Sequence, residues 1–242
     1  LLLAFCSAAL LGFYDVFKKK SLAGNAVLPV LGLNTLFSSL IFLPFILISH
    51  FRPEWLQHTL FYVPDAGWEV HKFILVKSLI VLSSWTFGYF GMKHLPAIGS
   101  FFLLSRSGKK EGIDFTHNKW IAFIVLAAVL GAASGLYDKY LMKQFNNMVI
   151  QSWYNIYQFF LMGGVLMFLW WPKRKTSTPF HWNWCIPLIS VFLSAADFIY
   201  FYALSMDGSM ISIVSMVRRG SVIVSFLFGA MIFREKNLRS KA

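Results

Sequence analysis

The chain is short of charge. Only 13% of its 242 residues are Asp, Glu, Lys or Arg, against about 25% in a soluble domain. Acidic residues are scarcest, 10 against 22 Lys and Arg. There are two cysteines, Cys6 and Cys185, both in or at the edge of apolar stretches. Two such thiols make no disulfide framework and match no zinc spacing. His94, His117 and His181 are scattered without ligand spacing. No H-E-x-x-H, G-x-S-x-G or phosphate-cradling glycine loop occurs. The residues therefore point to no metal, no cofactor and no enzyme, and ATP-driven pumping from this chain is not expected.

What is present is apolar. Hydrophobic residues make up 57% of the chain and aromatics 18%, with a mean hydropathy of +0.63. Lipid is the expected solvent, and the expected fold class is an all-α polytopic membrane protein. The net charge of +12 does not indicate nucleic acid, because the basic residues sit in short runs between apolar segments. A bilayer core of roughly 30 Å takes about 20 apolar residues in a helix. Seven segments meet or approach that length: 1–17, 27–49, 73–95, 120–142, 148–171, 184–205 and 209–233. Breaks at Lys18–Lys20, 51–71, Pro96, 105–119, Asn146-Asn147, 172–179 and Asp207-Gly208 separate them.

The segments repeat. Gly12-Phe13-Tyr14-Asp15 with Lys20 matches Gly135-Leu136-Tyr137-Asp138 with Lys143, and Leu82–Phe90 matches Leu193–Phe201 in the same order. A duplicated membrane unit is a common plan of secondary transporters. The expected organisation is a first repeat over 1–104, a polar linker over 105–119 and a second repeat over 120–242. The second half carries a fourth span, 209–233, without a counterpart. Segments after about Ser100 and beyond Ala242 are therefore expected to be absent from this chain. Lys and Arg gather at 18–20, 106–119, 173–175 and 234–241, which predicts those loops inside and the N-terminus outside.

A few residues resist an apolar reading. Arg218 and Arg219 lie deep in the last segment, where a central arginine costs about 2.5–3.5 kcal/mol. Asp197 lies at a similar depth in the preceding segment, across the Met206-Asp207-Gly208 turn, so Asp197 and one arginine should meet. The other guanidinium is then a candidate for an anionic substrate group, since its planar fork suits carboxylate and phosphate. Asn34, Asn155 and Gln158 are expected first to bond neighbouring helices and second to line a cavity. Core packing is the first expectation for the mid-span aromatics Trp85, Tyr89 and Tyr200. As their second reading these residues complete the candidate substrate-binding set. Asp15 and Asp138 lie near segment ends, where local pairing with Lys18, Lys19 and Lys139 is the first account and a proton- or substrate-linked role the alternative. Tyr14 and Tyr137 read as interface anchors. Gly131 and Gly135 form a G-x-x-x-G that permits close helix contact.

Tyr89-Phe90-Gly91-Met92-Lys93-His94-Leu95-Pro96 and Tyr200-Phe201-Tyr202-Ala203-Leu204 resemble the end of the third helix of the repeat in the EamA family of the drug/metabolite transporter superfamily. Gly229–Phe233 with Arg234-Glu235-Lys236 is similar to the close of that family's fourth helix. The resemblance implies two inverted-repeat helical bundles of ten helices around a central cavity, of which this chain shows about seven. Phe101–Leu104 would then be the tail of a fifth. It implies an N-terminus inside, opposite to the charge count. Val217-Arg218-Arg219-Gly220-Ser221 is similar to the basic pair of the related triose-phosphate and nucleotide-sugar translocators, which implies an anionic substrate.

The expected function is secondary transport of a small, anionic metabolite by alternating access, in a bacterial inner membrane, with Asp197 as candidate proton carrier. The partners expected are a small-molecule substrate and the lipid bilayer. Two alternatives stand: a non-transporting receptor or scaffold, and a nucleotide-sugar or phosphate-ester exchanger of the same superfamily.

Overall fold

A computed structural model describes residues 2–94, 119–206 and 210–233, with side chains to residue 228 except that of residue 211. Its elements are helices α1 (Leu2–Leu22), α2 (Val27–Phe51), α3 (Trp68–His94), α4 (Lys119–Gln144), α5 (Asn147–Val165), α6 (Cys185–Ser205), α7 (Ile211–Arg219) and α8 (Ser221–Phe233). A π-turn over Leu166–Trp170 and a 3-10 turn over Trp171–Lys173 extend α5. The expected tails of the first repeat, Phe101–Leu104 and the 105–118 linker, lie outside the described residues, as do the Asp207-Gly208 turn and Arg234–Ala242.

Side chains in water would face polar solvent with these elements inside out. Leu40, Leu47, Phe160, Met167, Phe168 and Val191 are exposed, while Asn34, Lys77, Gln151 and Gln158 are buried. Four helices, α2, α3, α4 and α6, are long and apolar enough to cross a bilayer. An apolar rim around a polar interior is what lipid selects, because polar groups cost less when they pair inside the bundle.

Helix ends follow local chemistry. Asn146 caps α5: its side-chain oxygen accepts from the backbone N–H of Met148 at 2.8 Å and Val149 at 3.3 Å, donors that a helix start leaves unsatisfied. Asn25 precedes α2 and ties it to the loop before α6, donating to the His181 carbonyl at 2.7 Å and accepting from the His181 N–H at 2.9 Å.

The packing partners exchange between the two halves. Helix α1 packs most extensively on α6, and α4 on α3. Helix α2 packs on α6 as α5 does on α3, and α2 and α5 pack on each other. Polar contacts join the same helix pairs, although the donor serine lies on the first helix of its half in one (Ser7) and on the third in the other (Ser84). Ser7 Oγ (α1) donates to the Ala196 carbonyl (α6) at 2.7 Å, and Ser84 Oγ (α3) donates to the Ala127 carbonyl (α4) at 2.8 Å. Ser190 Oγ (α6) donates to the Asn34 carbonyl (α2) at 3.0 Å, and Ser78 Oγ (α3) reaches the Tyr154 carbonyl (α5) at 3.5 Å.

The last expected span, 209–233, is not one helix. It is interrupted at Gly220, whose N–H bonds back to the Val217 carbonyl at 2.9 Å, a three-residue closure that tightens the turn. Helix α8 then crosses α1 at Gly12. A Cβ there would stand 2.5 Å from Val224 Cβ and 2.9 Å from the Ser221 carbonyl oxygen.

Candidate functional site

The interruption at Gly220 places Arg218 and Arg219 at the end of α7, beside a cavity of about 650 Å³ between the two halves. A cation at a helix C-terminus is favoured by the unpaired carbonyls there. The cavity draws its lining from α1, α3, α4, α5, α6, α7 and α8. Its walls are mainly apolar, with charged groups at a few points: Lys77, Asp138, Asp197, Arg218 and Arg219. Three cations against two carboxylates leave one positive charge.

Arg218 and Asp197 meet as an ion pair, Nη2 to Oδ1, as the hairpin spacing predicts. The guanidinium also lies 4.1 Å above the Tyr200 ring, a cation–π contact. Asp197 Oδ2 accepts from the Tyr154 hydroxyl at 3.0 Å. Arg219 lines the same cavity and has no ion-pair partner among the described residues. It is the charge that the two pairs do not balance.

The second pair joins Lys77 Nζ of α3 to Asp138 Oδ1 of α4. Lys77 is 1% exposed overall, and its ammonium lies over the rings of Phe201 at 4.1 Å and Tyr154 at 4.6 Å. This corrects the local account of Asp138. Its partner is not Lys139, which donates to the Leu204 carbonyl at 3.3 Å. Asp15 does pair locally, with Lys18 at 2.9 Å. Lys77 escaped the sequence reading because the apolar run at 73–95 puts it near a span end, where a lysine snorkels. Helix α3 starts five residues earlier, at Trp68, so Lys77 lies more than two turns inside it. An isolated cation in an otherwise uncharged stretch was the signal.

Of the sequence candidates, the structure brings Arg218, Arg219, Asp197, Tyr200 and Trp85 to the cavity. Asn34, Asn155, Gln158 and Tyr89 do not line it. The amides instead join or brace helices. The Asn34 side-chain oxygen accepts from Ser190 at 2.9 Å, Asn155 donates to the Gln151 carbonyl of its own helix at 2.8 Å, and Gln158 donates to the Ser78 carbonyl at 3.3 Å. Tyr89 is buried at 1% exposure with Lys18 over its ring at 5.3 Å.

Two further expectations change. Tyr14 is not an interface anchor: it is buried, lines the cavity and accepts from Lys18 at 3.3 Å. Gly131 and Gly135 do not mark a close helix crossing. A Cβ at either would meet its nearest neighbour, Ser84 Oγ or Tyr200 Oη, only at 3.5 and 4.0 Å. Both glycines line the cavity, so their missing side chains leave it open.

An integral membrane bundle of apolar helices with a charged, solvent-sized chamber between its halves has the build of a membrane transporter. Comparison with known proteins gives the family. The EamA-like transporter family matches residues 118–241. The chain belongs to that family of the drug/metabolite transporter superfamily, whose members are transporters rather than enzymes. No curated protein and no solved structure matches the chain.

Proposed function

We propose that the chain is a secondary transporter of a small anionic metabolite, bound in the cavity between its halves. The observation that carries this reading is Arg219, a guanidinium facing the cavity without a carboxylate partner among the described residues. Arg219 is exposed where it lines the cavity, so its guanidinium is open to an anion, and its planar fork suits a charge-assisted contact with carboxylate or phosphate. Asn34, Asn155, Gln158 and Tyr89 serve as the scaffold of this site rather than as its contacts. Tyr200 and Trp85 supply ring faces beside the charges.

The exchanged packing partners support two duplicated units, 1–104 and 120–242, whose opposed movement exposes the cavity to one side and then the other. The serine-to-carbonyl contacts from α6 to α2 and from α3 to α5 match in donor and acceptor helix, as a shared ancestry of the units would have it. A bacterial inner membrane suits such a carrier. A receptor or scaffold has less use for an unpaired cation in a chamber of this volume.

The test is uptake into proteoliposomes holding the purified chain, with a panel of labelled carboxylates and phosphate esters beside neutral and cationic analogues of equal size. Anion uptake above empty vesicles is expected, together with trans-stimulation by unlabelled anion inside. Replacing the guanidinium, Arg219→Gln, should lower uptake about 10- to 100-fold, the equivalent of one charge-assisted hydrogen bond at about 1.5–3 kcal/mol. Preferential carriage of the cationic analogues would overturn the reading.

A further inference from the structure

The two cavity carboxylates hold their cations differently. Asp197 uses both oxygens, one toward the Arg218 guanidinium and one toward the Tyr154 hydroxyl. A guanidinium stays protonated throughout the accessible pH range, so Asp197 keeps its charge partner. Asp138 has one donor among the described residues, the Lys77 ammonium on Oδ1, and borders the cavity. That ammonium does not depend on Asp138 alone, because the faces of Phe201 and Tyr154 also attract it. Neutralising Asp138 therefore removes the counter-ion while the two rings still hold the Lys77 side chain in place.

The charged and titratable groups that line the cavity with Asp138 are Tyr14 from α1, Lys77 from α3, Tyr154 from α5, Asp197 and Tyr200 from α6, and Arg218 and Arg219 from α7. On its own helix Lys139 is turned to the Leu204 carbonyl. Resting on the anion reading above, we propose that Asp138 is a proton-binding site that couples proton uptake to anion binding in the cavity. A proton from water adds to the Asp138 carboxylate. The Lys77 side chain loses its counter-ion, and the cavity charge rises by one. The anion takes the place of the Asp138 carboxylate beside Lys77. Anion and proton then favour each other's binding reciprocally, which makes the carrier a proton–anion symporter and suits a substrate with two negative charges.

Infrared difference spectroscopy on the full chain in lipid, stepped in pH with and without sulfate as the probe dianion, tests this. Lowering the pH should bring up a protonated-carboxyl band that Asp138→Asn lacks and Asp197→Asn keeps. Lys77→Gln keeps the carboxyl and should move the band's midpoint to higher pH, which guards against a poorly folding Asp138→Asn variant. Sulfate should raise the midpoint by about one pH unit for each tenfold by which the proton tightens its binding. A band that persists in Asp138→Asn, or disappears in Asp197→Asn alone, overturns the proposal. An Asp138-dependent band that sulfate leaves unmoved overturns the coupling, whereas failure of anion uptake in proteoliposomes overturns the anion reading, so the two failures are distinguishable.

Discussion

Removing one partner of the Asp197–Arg218 pair should cost more than removing both. Asp197→Asn keeps the shape and the Tyr154 contact but leaves the Arg218 guanidinium without a carboxylate. Breaking a fully buried pair costs about 3–5 kcal/mol. Here the Arg218 side chain is 18% exposed and borders a cavity, so water solvates part of it. The Tyr200 ring at 4.1 Å retains about 0.5–2 kcal/mol of cation–π attraction. The expected loss is therefore smaller, about 1–3 kcal/mol. In Asp197→Asn with Arg218→Gln no charge is stranded, and the two amides can bond, so the double variant should regain at least about 1 kcal/mol over Asp197→Asn. The assay is equilibrium unfolding of the purified chain in mixed micelles, followed by tryptophan fluorescence, on the wild type, both single variants and the double variant. A coupling energy under about 0.5 kcal/mol, the scatter expected of independent sites, would refute the claim that the pair acts as a unit in the fold.

Other outcomes follow from single contacts. Gly12→Val places a branched side chain against Val224 and the Ser221 carbonyl and should cost about 1–3 kcal/mol of overpacking in the same unfolding assay, whereas Gly131→Ala, with 3.5 Å to its nearest neighbour, should change stability little and reduce uptake by filling the cavity. Ser7→Ala and Ser84→Ala each remove one interhelical bond and should each cost about 0.6 kcal/mol; an unchanged unfolding midpoint in either would count against that bond's contribution. Asn146→Ala removes the cap of α5 and should cost about 1 kcal/mol, with Asn146→Asp restoring most of it. Arg219→Gln should leave the unfolding midpoint near that of the wild type while uptake falls, because that guanidinium supports no pair among the described residues.

The sequence alone determined the solvent, the helical class and most span positions. Bilayer thickness and the energetic cost of unpaired backbone groups leave an apolar segment of that length little choice but a helix, so composition and run length carry the information directly. It also placed Asp197 opposite an arginine, because a short hairpin connection equates depth in adjacent helices. Only the tertiary structure decided what meets across helices that are distant in the chain. Lys77 and Asp138 stand 61 residues apart, and no periodicity relates them. The same holds for Asn34, Asn155 and Gln158, whose polarity was legible although their partners were not. A buried amide serves a neighbouring helix or a cavity according to which way its helix is turned, and packing sets that rotation. The break at Gly220 was hidden for a related reason: hydropathy reports whether a segment is apolar, not whether its hydrogen-bond ladder is continuous. Similar motifs at matching places are visible in the letters, whereas which helices pack across the chain, and so where the chamber lies, was decided only by tertiary contacts.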